Sequence, residues 1–448
     1  MTSHKDPEFQ FVQPRATVEI HLLGGQVICG PRGACIGDFL KILNGAGLPP
    51  IIGAIVNGEL RELTYAIHMD AKVRPVTMGE ADGMRIYRRS LTFLLEIAFS
   101  NKFPGALVTI DHSVASGGYY CQVSGRPSLS AAELTSLAEH MRTLVAADMP
   151  FRRQEMPLQD AIDLFRQRGY DDKVRLLAHR QKDYVTLYEL AGHLDYHHGY
   201  MAPSTGYLRW FELVATGEGF TLRFPRRHAP TVLLPMPEYP TLLNTFLEYG
   251  DWLDRLGISS VGALNDAIKA NRTSEIILVS EALHEQRVSE IAAQIAERRD
   301  RLRLILISGP SSSGKTTFSK RLSIQLLSRG ISPFPLEMDN YFVDREQTPR
   351  DENGELDFES IDALDRQRLS ADLRNLIAGD LVQLPRYDFI SGMSSPGDEI
   401  QLKANEMVIF EGIHGLNPNL IGGIPAEHTY RLYASALTQL NLDRQFRA

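Results

Sequence analysis

Cysteine is scarce in this sequence, and its scarcity excludes one class of fold. The 448 residues include three cysteines, Cys29, Cys35 and Cys121, and their spacing forms no pairs. A sparse, odd set of this kind excludes a disulfide framework and favours a reducing compartment. The fold must therefore be held together by its apolar cores.

Long apolar runs are also missing. No run is long enough to cross a bilayer, and the first ten residues, MTSHKDPEFQ, contain no apolar signal core. We therefore expect a cytoplasmic protein without a membrane partner. Residues 1–15 are predicted to be a tail.

The sequence has no large excess of positive charge. It has 55 acidic and 47 basic residues, which give a net charge of -8. This balance argues against bulk non-specific binding of nucleic acid, but a local basic face such as Arg226-Arg227-His228 would escape the count. With 43% hydrophobic residues in 448 positions, the chain is long enough for two to four globular domains.

One stretch organises the chain. The residues GPSSSGKTT follow the apolar run Leu304–Ile307 and precede a helical pattern that contains Phe318, Leu322 and Leu326. A strand, a glycine-rich loop and a helix in this order predict a phosphate-binding loop, in which backbone N–H groups hold phosphate oxygens. The alternative is a glycine- and serine-rich loop with a chance lysine. The residues predicted to bind the nucleotide are Gly309, Ser311, Ser312, Ser313, Gly314, Lys315, Thr316 and Thr317.

The side chains of this loop have distinct predicted roles. Lys315 is expected to reach the outer phosphates, and the Thr316 hydroxyl is expected to bind Mg²⁺. ATP and Mg²⁺ are therefore the expected cofactors.

The N-terminal region alternates apolar and polar residues. A hairpin is predicted around Gly24-Gly25, a helix at residues 36–43, and a second hairpin at Asn57-Gly58 within AIVNGELREL. This order resembles the TGS domain, a ubiquitin-like β-grasp module, over residues 16–85. The resemblance implies that this region binds a partner or regulates, and does not catalyse.

Residues 86–228 contain FPGALVTIDHSVASGGYYC and DYHHGYMAPSTGYLRWFEL. These two segments resemble the second N-terminal domain of threonyl-tRNA synthetase, an α+β editing domain. The family's His-x-x-x-His pair falls here on His112 and Ser116, and its Cys-x-x-x-His pair falls on His197 and Met201. A hydroxyl and a thioether are poor replacements for metal ligands, so we expect neither an editing nor a zinc site. His193, His197 and His198 are expected to line a remnant cleft in a strand-and-loop setting.

Residues 229–300 are predicted to be an extended linker followed by helices. The prolines of PTVLLPMPEYP exclude a helix. Apolar residues then recur at helical spacing up to the phosphate loop.

Residues 301–448 carry four further motifs. MDNYF, DFESIDALD, LPRYDF and VIFEGIHGLNP follow the loop in order. Asp339 stands where a second parallel strand would end, and could act as a base or cap a helix. The five ordered motifs resemble the uridine kinase and phosphoribulokinase family, a P-loop kinase fold with a parallel sheet flanked by helices.

The resemblance implies roles for Lys315 and for four residues of the later motifs. Asp339 matches the catalytic base for the ribose 5′-hydroxyl, and Lys315 is expected to assist catalysis. Glu359 matches a ribose-binding aspartate, Tyr387 an aromatic residue against the base, and Glu411 the carboxylate near Mg²⁺.

The sequence departs from this family at two places. Gly392 replaces a histidine that helps to read the pyrimidine, which leaves the identity of the base open. The family's arginine-rich lid follows the segment at residues 435–443, whereas this sequence stops at Ala448. We expect this chain to bind ATP·Mg and to turn over slowly.

Three functions are carried forward. A nucleoside kinase leads; an RNA- or tRNA-linked regulator with a nucleotide switch is second; an editing-type hydrolase is third. The expected partners are a nucleoside substrate, an RNA or protein bound by the N-terminal half, and further copies of the chain in a homo-oligomer.

Overall fold

The computed structural model describes residues 13, 15–43, 45, 49–114, 116–351, 354–420, 423–435, 440–444 and 446–447. These residues form two compact units. The first runs to Arg272 and also includes the described residues from 440 onward, and the second begins at Thr273.

The first unit opens with a mixed five-stranded sheet. Its elements are β1 (Thr17–Leu22), β2 (Val27–Pro31), α1 (Ile36–Leu40), β3 (Ile51–Val56), β4 (Glu59–Glu62) and β5 (Ala71–Thr77), in the sheet order β2-β1-β5-β3-β4. The strands β1 and β5 are parallel, and the other pairs are antiparallel. Asn57 and Gly58 both adopt positive φ, the geometry that a two-residue hairpin requires. The predicted β-grasp architecture and its second hairpin are confirmed.

The middle of the first unit is built from two antiparallel sheets and four helices. Its elements are α2 (Ala81–Lys102), β6 (Leu107–Val114), β7 (Gly118–Ser124), α3 (Ala131–Ala146), β8 (Arg152–Pro157), α4 (Leu158–Gln167), α5 (Asp171–Ala178), β9 (Tyr184–Leu190), β10 (His193–Tyr196), β11 (Glu212–Thr216) and β12 (Gly219–Arg223). The sheet orders are β11-β12-β7-β6 and β10-β9-β8. Helix α2 is largely buried, and its apolar residues form the centre of the core of this region.

Helices close the first unit. They are α6 (Pro240–Leu256) and α7 (Val261–Lys269), and no helix or strand is assigned between β12 and α6, as the prolines predict. The ring of Phe246 in α6 stacks on the ring of His112 in β6, with centroids 3.9 Å apart. This contact buries the imidazole completely.

The second unit contains a four-stranded parallel sheet. Its elements are α8 (Thr273–Glu297), β13 (Leu304–Ser308), α9 (Lys315–Leu327), β14 (Ser332–Glu337), α10 (Arg366–Ala378), β15 (Val382–Asp388), β16 (Met393–Ile400), β17 (Glu406–Glu411) and β18 (Thr429–Tyr433). The sheet order is β14-β17-β13-β18, and β15 and β16 form a separate hairpin. Every residue of β13 is buried, as a continuous apolar strand inside a parallel sheet requires. The predicted multidomain α/β and α+β class is confirmed.

Two findings bear on the domain limits. Helix α8 buries Val288, Ala292 and Ile295 against Leu322 and Leu326 of α9, so it packs as part of the second unit. The short strands β19 (Asn441–Asp443) and β20 (Phe446–Arg447) belong to the first unit, where the Ile110 N–H donates to the Arg444 carbonyl at 2.9 Å. The limits at residues 85, 228 and 300 stay predictions.

Within the described part of the chain, every helix is too short or too polar to span a membrane.

Candidate active site

The loop between β13 and α9 has the backbone geometry of a phosphate cradle. Ser312 and Gly314 adopt positive φ values of 58° and 84°, so the chain curls back before α9 begins at Lys315. A Cβ at Gly309 would lie 2.1 Å from the Ala434 carbonyl oxygen, so only glycine fits there. The start of the loop therefore packs tightly against the residue that follows β18, and glycine is needed there.

The loop also contains an unsatisfied polar group. The Ser313 hydroxyl oxygen is buried and has no hydrogen-bond partner among the described residues. Buried polar atoms are nearly always paired, so such an orphan indicates a position for a ligand. The Lys315 ammonium donates to the Pro310 carbonyl at 2.8 Å, which keeps it folded over the loop.

Thr316 and Glu411 meet at the end of the sheet. The Thr316 hydroxyl donates to Glu411 Oε1 at 2.5 Å, across 95 residues of sequence. Glu411 ends β17, whose register places it beside Ile307 of β13 and Glu337 of β14. A hydroxyl and a carboxylate form the oxygen-rich set that Mg²⁺ prefers. These two side chains thus fit the predicted metal position.

Asp339 lies in the turn directly after β14. Surrounding protein atoms desolvate its carboxylate and raise its pKa above the usual value, and the negative charges of Glu337 and Glu411 raise it further. Lys315 acts in the opposite direction. The helical turn at Met338–Tyr341 has no side-chain cap, and the Asp339 carboxylate has no hydrogen bond to any described residue. The carboxylate is left available for chemistry rather than used as a cap.

Tyr387 is buried in a cluster of aromatic rings. Its ring centroid lies 5.6 Å from that of Phe342 and 5.1 Å from that of Phe389. The Tyr387 hydroxyl is buried without a partner in the described structure. This second orphaned polar atom marks the position that the sequence predicts for substrate.

Glu359 has an exposed side chain. Its carbonyl oxygen lies 2.9 Å from Nε2 of His414, which follows β17, so the turn that carries Glu359 is attached near the carboxyl edge of the sheet. Its carboxylate makes no hydrogen bond or ion pair with the residues that the structure describes.

The predicted remnant cleft in the first unit is a buried polar cluster. His193 lies on β10 rather than on a helix, and His197 follows that strand, so the strand-and-loop prediction is confirmed. Burial lowers the pKa of His197 to about 3, so this imidazole is neutral. Met201 is buried in the apolar core, where its sulfur accepts a hydrogen bond from Ser90.

Sequence reasoning missed the centre of this cluster. Lys173 is 1% exposed and donates to Asp195, which is 2% exposed. Possible ligand atoms of Glu96, Asp195 and His197 lie within 4.8 Å of one another, yet the Lys173 ammonium already neutralises the Asp195 carboxylate. Lys173 and Asp195 lie 22 positions apart and belong to no short sequence motif, so the sequence gives no indication that they pair.

A comparison with known protein families finds a match within the second unit. The model of the Phosphoribulokinase / Uridine kinase family matches residues 304–424. These residues are therefore similar to that family. The match covers the strand β13, the phosphate loop, Asp339, Tyr387 and Glu411.

The N-terminal half is similar in sequence to curated threonine–tRNA ligases. A threonine–tRNA ligase of Geobacter sp. (strain M21) is 33% identical over 186 residues, which are 41% of this chain and 29% of the relative. One from Nitratidesulfovibrio vulgaris (strain DP4) is 29% identical over 198 residues, 44% of this chain and 31% of the relative. The chain thus spans less than a third of these curated relatives. The predicted resemblance to threonyl-tRNA synthetase is confirmed.

A solved structure described as a possible uridine kinase from Bacillus stearothermophilus is also similar. It is 26% identical, and the match covers 30% of this chain and 70% of that chain with a TM-score of 0.24. At this TM-score the likeness carries no argument beyond the family match.

Gly392 is the position at which the sequence predicts a departure from the uridine kinase pattern, and the structure shows what surrounds it. Gly392 has φ +73°, and a Cβ there would lie 2.7 Å from Arg345 Nε. The Arg345 guanidinium donates to the Phe389 and Ile390 carbonyls, and its backbone N–H donates to the Gly392 carbonyl at 2.8 Å. An arginine therefore fills the space beside the position where a histidine was expected. Sequence reasoning noticed the glycine but not Arg345, which lies 47 residues earlier.

Proposed function

We propose that this chain transfers the γ-phosphoryl group of ATP to the 5′-hydroxyl of a nucleoside. The observation that carries the proposal is the meeting of four groups at the carboxyl edge of the parallel sheet: Lys315, the hydrogen-bonded pair Thr316 and Glu411, and the free carboxylate of Asp339. This edge is where open α/β sheets bind their ligands. The kinase-family match of residues 304–424 supports the same reaction class.

The phosphate loop binds and orients the donor. Backbone N–H groups of the curled loop and the unpaired Ser313 hydroxyl supply hydrogen-bond donors for phosphate oxygens. Lys315 needs only to exchange the Pro310 carbonyl for a phosphate oxygen. Thr316 and Glu411 would hold the Mg²⁺ of ATP·Mg, which neutralises the charge of the transferring phosphoryl group when it is bound.

Asp339 is the group that would hold the proton of the acceptor. Its carboxylate interacts electrostatically with Lys315 and Glu411, and it has no competing hydrogen bond among the described residues. A raised pKa makes it a better base than an ordinary aspartate. It would accept the proton of the 5′-hydroxyl as the phosphoryl group arrives.

The acceptor would lie against Tyr387. The exposed ring of Phe389 in this cluster offers an apolar surface for a base, and the orphaned Tyr387 hydroxyl offers one hydrogen bond. Glu359 has a free carboxylate that could bind ribose hydroxyls. Because Arg345 stands beside Gly392, we propose that base recognition differs from that of a uridine kinase.

The test is phosphoryl transfer from γ-labelled ATP to a panel of acceptors. The panel contains the four ribonucleosides, their 5′-deoxy analogues and free ribose, and Lys315→Ala is the control. The proposal requires a labelled 5′-monophosphate from at least one nucleoside, none from its 5′-deoxy analogue, and none with the variant. Transfer only to a sugar or sugar phosphate would retain the kinase and refute the nucleoside.

A further inference from the structure

A second cleft lies in the first unit, and the residues that line it all belong to that unit. It has a volume of about 710 Å³ and opens at the C-terminal end of α3, between the segment 206–211 and residues Pro50 and Ile51 at the start of β3. Pockets that bind small molecules have volumes of roughly 300–1,000 Å³. The cleft is therefore large enough for a nucleotide.

The charged groups of this cleft favour an anion. Arg142 and Arg209 line it, both are exposed, and neither has a carboxylate within 4 Å in the described part of the chain. The carboxylate that lines it, Asp148, already accepts hydrogen bonds from the Gly206 N–H at 3.0 Å and from the Ser204 hydroxyl. Arg209 donates through Nε to the Gly206 carbonyl at 2.9 Å, but neither guanidinium group has a carboxylate partner among the described residues, and guanidinium is suited to phosphate.

Aromatic side chains supply much of the apolar lining of the cleft. Tyr207, Trp210 and Phe211 all line it. The Arg142 guanidinium carbon lies 5.8 Å from the centre of the Phe211 ring, so one cation and one ring already share a surface. Aromatic rings and arginine side chains that alternate in this way are the usual platform for stacking a nucleic-acid base.

The walls of the cleft are held rigidly. The Thr205 hydroxyl donates to the Leu144 carbonyl at 2.6 Å and accepts from the Met149 N–H at 2.9 Å, which attaches the segment 206–211 to the end of α3. The buried Tyr87 hydroxyl donates to the Trp210 carbonyl at 2.8 Å and accepts from the Trp210 N–H at 3.0 Å. Rigid walls reduce the entropy that a ligand must overcome, so the site is prepared for binding.

We propose that this cleft binds one nucleotide unit, with its base stacked on the partly buried Trp210 and its phosphate held by Arg142 and Arg209. A free mononucleotide and a nucleotide of an RNA strand present the same chemistry. The proposal does not depend on the kinase reaction.

Tryptophan fluorescence provides a local test, because the chain has two tryptophans. In a Trp252→Phe background, Trp210 is the sole reporter. AMP, a ten-residue oligoadenylate, inorganic phosphate and polyglutamate are titrated separately. Arg142→Ala and Arg209→Ala are compared with Arg152→Ala, an exposed arginine outside the cleft. Lys315→Ala tests whether the phosphate loop contributes.

The proposal predicts saturable quenching by AMP or the oligoadenylate. Each cleft variant should weaken binding at least about tenfold, the value for loss of a charged hydrogen bond, whereas Arg152→Ala and Lys315→Ala should not. The salt dependence should also become shallower in the two cleft variants, which a merely structural role would not cause. Binding by AMP alone identifies a free nucleotide as the ligand, and binding by the oligonucleotide alone identifies RNA.

Three results would overturn the proposal. They are no quenching by either nucleotide ligand at millimolar concentration, equal quenching by inorganic phosphate or polyglutamate, and unchanged affinity in both cleft variants. Because Arg142 and Arg209 are exposed, loss of folding would not explain a loss of binding.

Discussion

Replacing Asp339 by Asn separates chemistry from binding in the proposed kinase. The substitution keeps the size of the side chain and removes one negative charge. The Asp339 carboxylate makes no hydrogen bond to a described residue, and desolvation and the charges of Glu337 and Glu411 disfavour its ionised form, so we expect that Asn does not lower the free energy of unfolding. Any large loss of rate would then arise from the reaction itself.

The size of that loss follows from the role of the carboxylate. A positioned general base contributes roughly 10²–10⁴-fold to a rate, which corresponds to about 3–5 kcal/mol of barrier. The phosphate loop, Thr316 and Glu411 are untouched, so the affinity for ATP·Mg should stay within about threefold. Removing a negative charge that interacts with Lys315 should slightly strengthen the binding of an anion.

The assay combines acceptor-dependent ADP release with calorimetric titration of a non-hydrolysable ATP analogue. Asp380→Asn is the matched control, because Asp380 is an exposed aspartate of the same unit that lies just beyond α10. A rate for Asp339→Asn within tenfold of the unsubstituted chain would refute the assignment of the base. An equal loss of nucleotide affinity would show that Asp339 binds rather than reacts.

Three further predictions follow from the structure. Glu337→Gln removes a negative charge that raises the Asp339 pKa, so Asp339 should stay ionised to lower pH. The acid limb of the pH–rate profile should therefore move to lower pH. The control Glu346→Gln should leave the profile unchanged. Gly392→Ala should lower the melting temperature of the second unit more than Gly379→Ala. Both glycines have positive φ, a conformation that costs about 1–2 kcal/mol for alanine. Only at Gly392 would the new Cβ also collide with the Arg345 side chain. Lys173→Met leaves Asp195 buried without its partner and should cost about 3–5 kcal/mol, measured by urea unfolding followed by the fluorescence of Trp210 and Trp252, which lie in the same unit. A cost for Lys173→Met no greater than that of the exposed Lys269→Met would contradict this interpretation of the pair.

The sequence correctly predicts features whose residues are adjacent along the chain. The phosphate loop is recognisable because its glycines, the apolar strand β13 and the helix α9 are adjacent in sequence. The Asn57-Gly58 turn is recognisable for the same reason, since both residues must adopt positive φ.

The features that sequence reasoning missed depend on distant partners. Arg345 reaches the loop before Gly392 across more than 40 residues, and Lys173 meets Asp195 through the packing of α5 near β10. The second cleft joins the end of α3 to residues about 60 positions later and to the start of β3. No spacing rule along the chain predicts these contacts, because they are set by the tertiary packing of whole elements.

The central claim is that the phosphate loop and Asp339 together catalyse phosphoryl transfer. The most direct measurement is the rate of ATP consumption with and without a nucleoside, for the unsubstituted chain and for Lys315→Ala. The account predicts that the nucleoside increases the rate in the unsubstituted chain, even if turnover is slow, and that Lys315→Ala removes the increase. Tight ATP·Mg binding with no dependence of the rate on any acceptor would contradict it and would favour a nucleotide-dependent regulator.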